Sequence, residues 1–307
     1  MNAEAWSKVY VVVPAYNESR VIGEVAAVIQ RWSAGISASD EVLSLVRADA
    51  AARDARKASN SARAGGRIQV LPLYGVLTQR GNMADDLSGP GSTSTSAFTS
   101  QLRAALADDS IDAVLIDCDS PGGSVYGTGE LAAEIASAKG VKPITAYVNS
   151  LCASAAYWVC SQADEVFMTP GGEAGSIGVY LMHQDVSKAL EAEGVSTTMV
   201  SAGKFKTEGS PYAPLDATAQ AFLQSRVDDY YSAFTKAVAA GRGVAQKAVR
   251  EGMGQGRVLG AGDALAEKMV DGVMTFDEVV SRMQSRLKRA RGASALARAQ
   301  NELKILG

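Results

Sequence analysis

Between residues 67 and 275 the chain alternates between two hydrophobic textures. Short apolar runs, IDAVLID, KPITAYV and ADEVFMT, read as strands, with RIQVLPLYGVLT as a strand pair or one bent strand. Longer segments with apolar residues spaced every three or four positions read as helices: SAFTSQLRAALADD, SVYGTGELAAEIASAKG ending at Gly140, VSKALEAEGV, and the long LDATAQAFLQSRVDDYYSAFTKAVAAGRG. A further helix is expected to begin at Ser154, and SIGVYLM and VSTTMVSA complete the expected strands. SGPGSTSTS reads as a mobile loop whose last residues cap the helix that follows. Strands and helices in alternation predict an α/β fold, and no period of 20–50 residues points to a solenoid.

The flanks differ. Residues 1–66 open on a strand-and-turn pattern, VVVPAYNES, and pass through an Ala/Arg/Asp/Ser-rich stretch, helical in its front half, to the linker-like SNSARAGG. Residues 281–307 are basic and helix-prone, a solvated helical tail or a docking arm. The expected organisation is therefore an N-terminal region and linker over 1–66, one domain over 67–280 and a basic helical tail over 281–307.

Composition narrows the function classes. With 47% hydrophobic and 21% charged residues the chain has a globular enzyme's balance, and a net charge of −3 gives no basic field for nucleic acid. Three cysteines, with no C-x-x-C pair, suit a reducing compartment, and a single histidine, His183, excludes a zinc site built from several imidazoles. Val9 to Val13, the longest early apolar run, is too short to span a bilayer or serve as a secretory signal, so a cytoplasmic protein without a membrane anchor is expected.

Two chemistries compete. KVYVVVPAYNES at residues 8–19 is how many metal-dependent nucleotide-sugar glycosyltransferases begin, and Asp117-Cys118-Asp119 after AVLI could hold their divalent cation. Against this, no second strand ending in an acidic pair follows the opening, and D-x-D alone is a weak signal. The more specific pattern starts at Asp119. In DSPGGSVYGTGELAAEI a strand runs through Pro-Gly-Gly into a helix, and backbone N–H groups at such a turn bind phosphate or a developing oxyanion. The Gly-Lys-Ser/Thr of a P-loop is absent. Some thirty residues on, Ser154 stands among alanines in LCASAAYW, as a helix cap or as a nucleophile whose small neighbours leave room for a substrate. A hydroxyl nucleophile needs a base: His183, or a lysine of SAGKFKTEGSPYAPL, Lys204 or Lys206. A lysine serves only when neutral, which requires burial to lower it from ~10.4 towards ~7–8. Cys152 is a rival nucleophile on chemistry alone and otherwise a small buried filler.

DSPGGSV, ASAAYW, GSIGVY, AGKFKTEGSPY and RVLGAGDALAEKMVDGV stand in this order between Arg67 and Val273. Together they resemble the signal peptide peptidase A family of serine peptidases, and most closely its phage head maturation or capsid assembly branch. That resemblance implies a Clp/crotonase-like spiral of ββα units, assembled as a homo-oligomer. It implies a Ser/Lys endopeptidase with Ser154 as nucleophile, Lys206 as general base, Ser176 orienting the lysine, and the amides of Gly123 and Ala155 forming the oxyanion hole. It implies no metal or organic cofactor, and capsid or scaffold protein as substrate in a host cytoplasm or immature virion. The chain carries Ala-Ala after Ser154 where many relatives have Gly-Gly, and residues 1–65 fall outside the resemblance. A signal-peptide-degrading cellular peptidase and a catalytically silent assembly protein are the remaining alternatives.

Overall fold

The computed structural model describes residues 67–80 and 92–306, of which 294–306 as backbone only. The strand-and-turn and linker readings of residues 1–66 lie outside these, as does the start of the SGPGSTSTS loop. Strand β1 is Ile68–Thr78, β2 Ser92–Ser94, β3 Ala113–Gly123, β4 Ile144–Ala153, β5 Glu165–Met168, β6 Glu173–Gly175, β7 Val258–Gly260 and β8 Gly272–Val273. The helices are α1 Thr95–Ala107, α2 Thr128–Ser137, α3 Ala155–Cys160, α4 Ser187–Ala192, α5 Ala217–Arg242, α6 Gln246–Glu251, α7 Ala261–Ala266 and α8 Phe276–Leu306. The main sheet runs β2-β1-β3-β4-β5-β8, and every neighbouring pair is parallel. At its C-terminal rim β4 also pairs with β6, which turns antiparallel onto β7. The α/β class expected from the alternation is the class observed.

Helices cover both faces of this sheet, so successive strand residues serve two different cores. On β3, Val114, Ile116 and Cys118 join the main cluster with residues of α1, α2, α3 and α5, while Ala113 and Leu115 join a second cluster completed by Val279, Val280 and Met283 of α8. That double burial is why IDAVLID is a continuous apolar run. Each fully buried Leu or Ile there contributes about 1.5–3 kcal/mol.

The structure decides one open reading and changes another. RIQVLPLYGVLT is one bent strand: its register against β3 shifts between Tyr74 and Val76, where Gly75 has φ 66°. The stretch from residue 281 continues α8, and its start is not solvated. Met283 is buried, Leu287 packs on the second cluster, Arg282 and Arg286 pair with Glu165, and Arg291 pairs with Asp112.

SIGVYLM and VSTTMVSA do not form strands. Beyond β6 the chain runs to Asp216 with only the short α4, and none of residues 178–216 is buried. Apolar runs become strands when they find an edge to pair with and a core to enter, and these find neither among the described residues. Val200 is 95% exposed and Phe205 55% exposed, beside exposed Leu181, Met182 and Met199.

Candidate active site

The parallel strands all point their C-terminal ends to one rim, where Asp119–Gly123 of β3 and Cys152–Ser154 at the end of β4 lie side by side. Both ladders of β3 are irregular here: against β1 the register shifts between Tyr74 and Val76, and against β4 between Cys118 and Ser120. Ser120 stitches the turn together. Its hydroxyl donates to the Gly75 carbonyl (2.6 Å) and accepts from the Gly122 N–H (3.1 Å).

Ser154 links β4 to α3 with φ 51° and ψ −124°, a conformation that costs a non-glycine residue about 1–3 kcal/mol. Its N–H donates to the Gly175 carbonyl (2.8 Å) and its carbonyl accepts from the Trp158 N–H (3.0 Å), so neighbouring elements hold the strain in place. The hydroxyl makes no capping bond to α3. A serine present to cap a helix adopts extended backbone and accepts from the second or third helical amide. Ser154 does neither, and the cap reading fails. The residue is half-buried, and the sharp strand-to-helix turn presents its side chain at the rim.

Helix α3 beneath it is wholly buried. Trp158 stacks on Phe234 of α5 with ring centroids 4.8 Å apart, and the Tyr157 hydroxyl donates to the Met269 carbonyl (2.9 Å). Burial pushes the Tyr157 phenol up, so it stays a donor at neutral pH. Anchored this way, the helix fixes the Ala155 amide, which as the first helical N–H has no acceptor within the helix.

Of the expected oxyanion pair, Ala155 adjoins Ser154 and Gly123 lies one residue beyond the glycine that touches the Ser154 turn. That contact belongs to Gly122, which sequence reasoning passed over. A Cβ on Gly122 would lie 2.7 Å from both the Ala153 carbonyl oxygen and Ser154 Cβ, and 2.9 Å from the Ala155 nitrogen. A Cβ on Gly123 would lie 2.1 Å from the Leu77 carbonyl oxygen. One glycine admits the serine turn and the other admits β1, the physical reason for two in succession.

Ser176 is also brought to the site. It follows Gly175, the acceptor for the Ser154 amide, has φ 53°, is buried, and donates its N–H to the Arg257 carbonyl (2.7 Å). Lys206 lies on the long segment between β6 and α5. It is exposed, in the loop where its N–H meets the Gly203 carbonyl (3.1 Å), and among the described residues no hydrogen bond joins it to Ser154. Lys204 is exposed too, with its ammonium over the Phe205 ring at 4.9 Å. His183 Nε2 lies 3.0 Å from the Ser210 carbonyl, in the same exposed segment.

A profile of peptidase family S49 matches residues 136–290, half of the chain, and covers the Ser154 turn, Ser176 and the lysine loop. The chain belongs to peptidase family S49. Within this S49 chain, 220 residues are 30% identical to Capsid assembly protease C of Escherichia phage lambda, over 72% of the chain and 49% of that protein. A second relative, Protease 4 of Salmonella typhi, is 28% identical over 67% of the chain and 33% of its own length. The S49 chain thus spans about half or less of these curated relatives. Among solved structures, a membrane-bound stomatin-specific protease determined as a mutant matches with a TM-score of 0.42 and 15% identity, over 67% of this chain and 78% of that one.

Family membership displaces the nucleotide-sugar reading. Asp117 is buried on β3, accepting from the Tyr74 hydroxyl and from Asn149 Nδ2 (2.9 Å). Among the described residues no helix is long and apolar enough to cross a membrane.

Proposed function

We propose that this chain is a serine endopeptidase working through Ser154 and Lys206 without a metal ion, and that it processes capsid or scaffold protein during phage head assembly. The observation that carries the reading is the uncapped Ser154 turn, held in a strained conformation of the kind that clusters at active sites. The assignment of the lysine rests on the AGKFKTEGSPY motif, and the substrate on likeness to the lambda protease.

In this mechanism neutral Lys206 takes the proton from the Ser154 hydroxyl as Oγ attacks a peptide carbonyl. The amides of Gly123 and Ala155 receive the oxyanion, each donor contributing ~10²–10³ in rate. Lys206 then gives the proton to the leaving amine, and a water molecule resolves the acyl-enzyme. Ser176 orients the lysine. The lysine serves as a base once its loop is covered and its ammonium desolvated. The exposed apolar residues flanking it, Met199, Val200 and Phe205, supply a driving force once a surface covers them. A second copy of the chain is the proposed cover, which makes the working enzyme a homo-oligomer.

Purified protein is expected to hydrolyse unfolded casein with EDTA present, and Lys206→Met to lose at least about 10²-fold of that rate, the contribution of a general base. Activity abolished by EDTA, or untouched by Lys206→Met, would overturn the dyad.

A further inference from the structure

Three cysteines far apart in sequence meet beneath the Ser154 turn: Cys118 on β3, Cys152 on β4 and Cys160 at the end of α3. Their Sγ atoms all lie within 4.8 Å of one another, and all three residues are 0% exposed. All are free thiols within the main apolar cluster. Among the described residues no histidine or carboxylate joins the group. The Cys118 thiol faces the Leu151 carbonyl at 3.6 Å. Burial pushes the Cys118 and Cys152 thiols well above their ordinary range, and Cys160 goes the other way because Cys118, and then Cys152, act towards it as S–H donors.

The donor set selects its ligand. Three sulfurs leave tetrahedral zinc one ligand short. Copper(I) on three thiolates would carry net negative charge into an apolar core, at a cost of several kcal/mol or more. A trivalent, three-coordinate centre bonded to three sulfurs is neutral. With metal–sulfur bonds of about 2.3 Å, sulfurs in a threefold array sit about 4 Å apart or closer, so a small contraction of the observed cluster closes it.

We propose that Cys118, Cys152 and Cys160 form a tris-thiol site for a soft three-coordinate ion, with trivalent arsenic as the charge-matched occupant. With arsenous acid, three As–O bonds break and three As–S bonds form. The three thiol protons leave with the three hydroxides as water, and no oxidation state changes. Helix α3 has six residues, so unwinding its last turn gives the ion a way in. Cys152 and Cys160 bracket Ser154, and the bound ion ties both ends of that segment to β3. The site does not depend on the Ser/Lys reading.

The test is native mass spectrometry and thermal unfolding of the full chain with sodium arsenite. The expected result is a mass gain of one arsenic less three hydrogens, no thiol left open to alkylation on subsequent unfolding in urea, and an unfolding temperature raised by at least about 3 °C. Cys118→Ala, Cys152→Ala and Cys160→Ala should each lose this adduct. Where a variant fails to fold, the parent protein decides. An adduct that forms in the urea-unfolded chain but not in the native one would overturn the proposal, as would one that leaves a thiol alkylatable.

Discussion

Ser154→Ala is expected to reduce casein hydrolysis by at least ~10⁴-fold, since removal of a serine nucleophile leaves only what binding and oxyanion contacts provide. Its stability should barely change. The hydroxyl caps nothing, alanine meets the same backbone strain as serine at φ 51°, and the Ser154 N–H and carbonyl keep their bonds to Gly175 and Trp158. Urea unfolding should therefore shift by less than about 0.5 kcal/mol. This pairing of outcomes matters more than either alone. A large loss of both activity and stability would return Ser154 to a structural role, and retained activity would put the nucleophile elsewhere.

Gly122→Ala should damage both properties. At φ 98° an L-residue is strained, and the added methyl meets backbone atoms of Ala153 and Ala155 and the Ser154 Cβ at 2.7–2.9 Å, with no flexible side chain to yield. Strain and overpacking together should cost about 2–4 kcal/mol. The less strained outcome moves the Ser154 turn and the Ala155 amide, and a displacement of that order costs about 10²-fold in rate. Gly140→Ala is the control. It also has positive φ, 88°, but its added methyl meets nothing, so it should cost about 1–2 kcal/mol and leave the rate per folded molecule unchanged. Casein hydrolysis and urea unfolding on the three proteins separate the two effects. A Gly122→Ala protein as stable and active as the parent would contradict the described contact between the two turns.

Much of this arrangement was legible in the sequence, for identifiable reasons. Strands buried on both faces write themselves as uninterrupted apolar runs, so β3, β4 and β5 emerge from composition alone. The last residues of SGPGSTSTS mark where α1 begins, with Ser94 accepting from an amide three residues on. The segment after Gly175 departs from its expected strands because its apolar runs lack partners among the described residues, and periodicity reports what a stretch could bury, not whether a surface exists to bury it. Ser154 was visible as a candidate, but cap and nucleophile differ in backbone torsion, which no residue type records. Gly122 and Gly123 are indistinguishable in a Gly-Gly pair until their neighbours, Ser154 and Leu77, are in place. Cys152 was legible as a small buried residue, while its meeting with Cys118 and Cys160 arises only from the pairing of β3 with β4 and the return of α3 against them.

The nucleophile itself can be caught. Peptide mapping by mass spectrometry after brief exposure to a slowly deacylating p-nitrophenyl ester identifies the acylated residue. One acyl group is expected on the peptide carrying Ser154 in the parent protein, and none there in Ser154→Ala. Acylation of Cys152 instead, or active protein whose Ser154 is never acylated, would contradict the assignment of Ser154 as nucleophile.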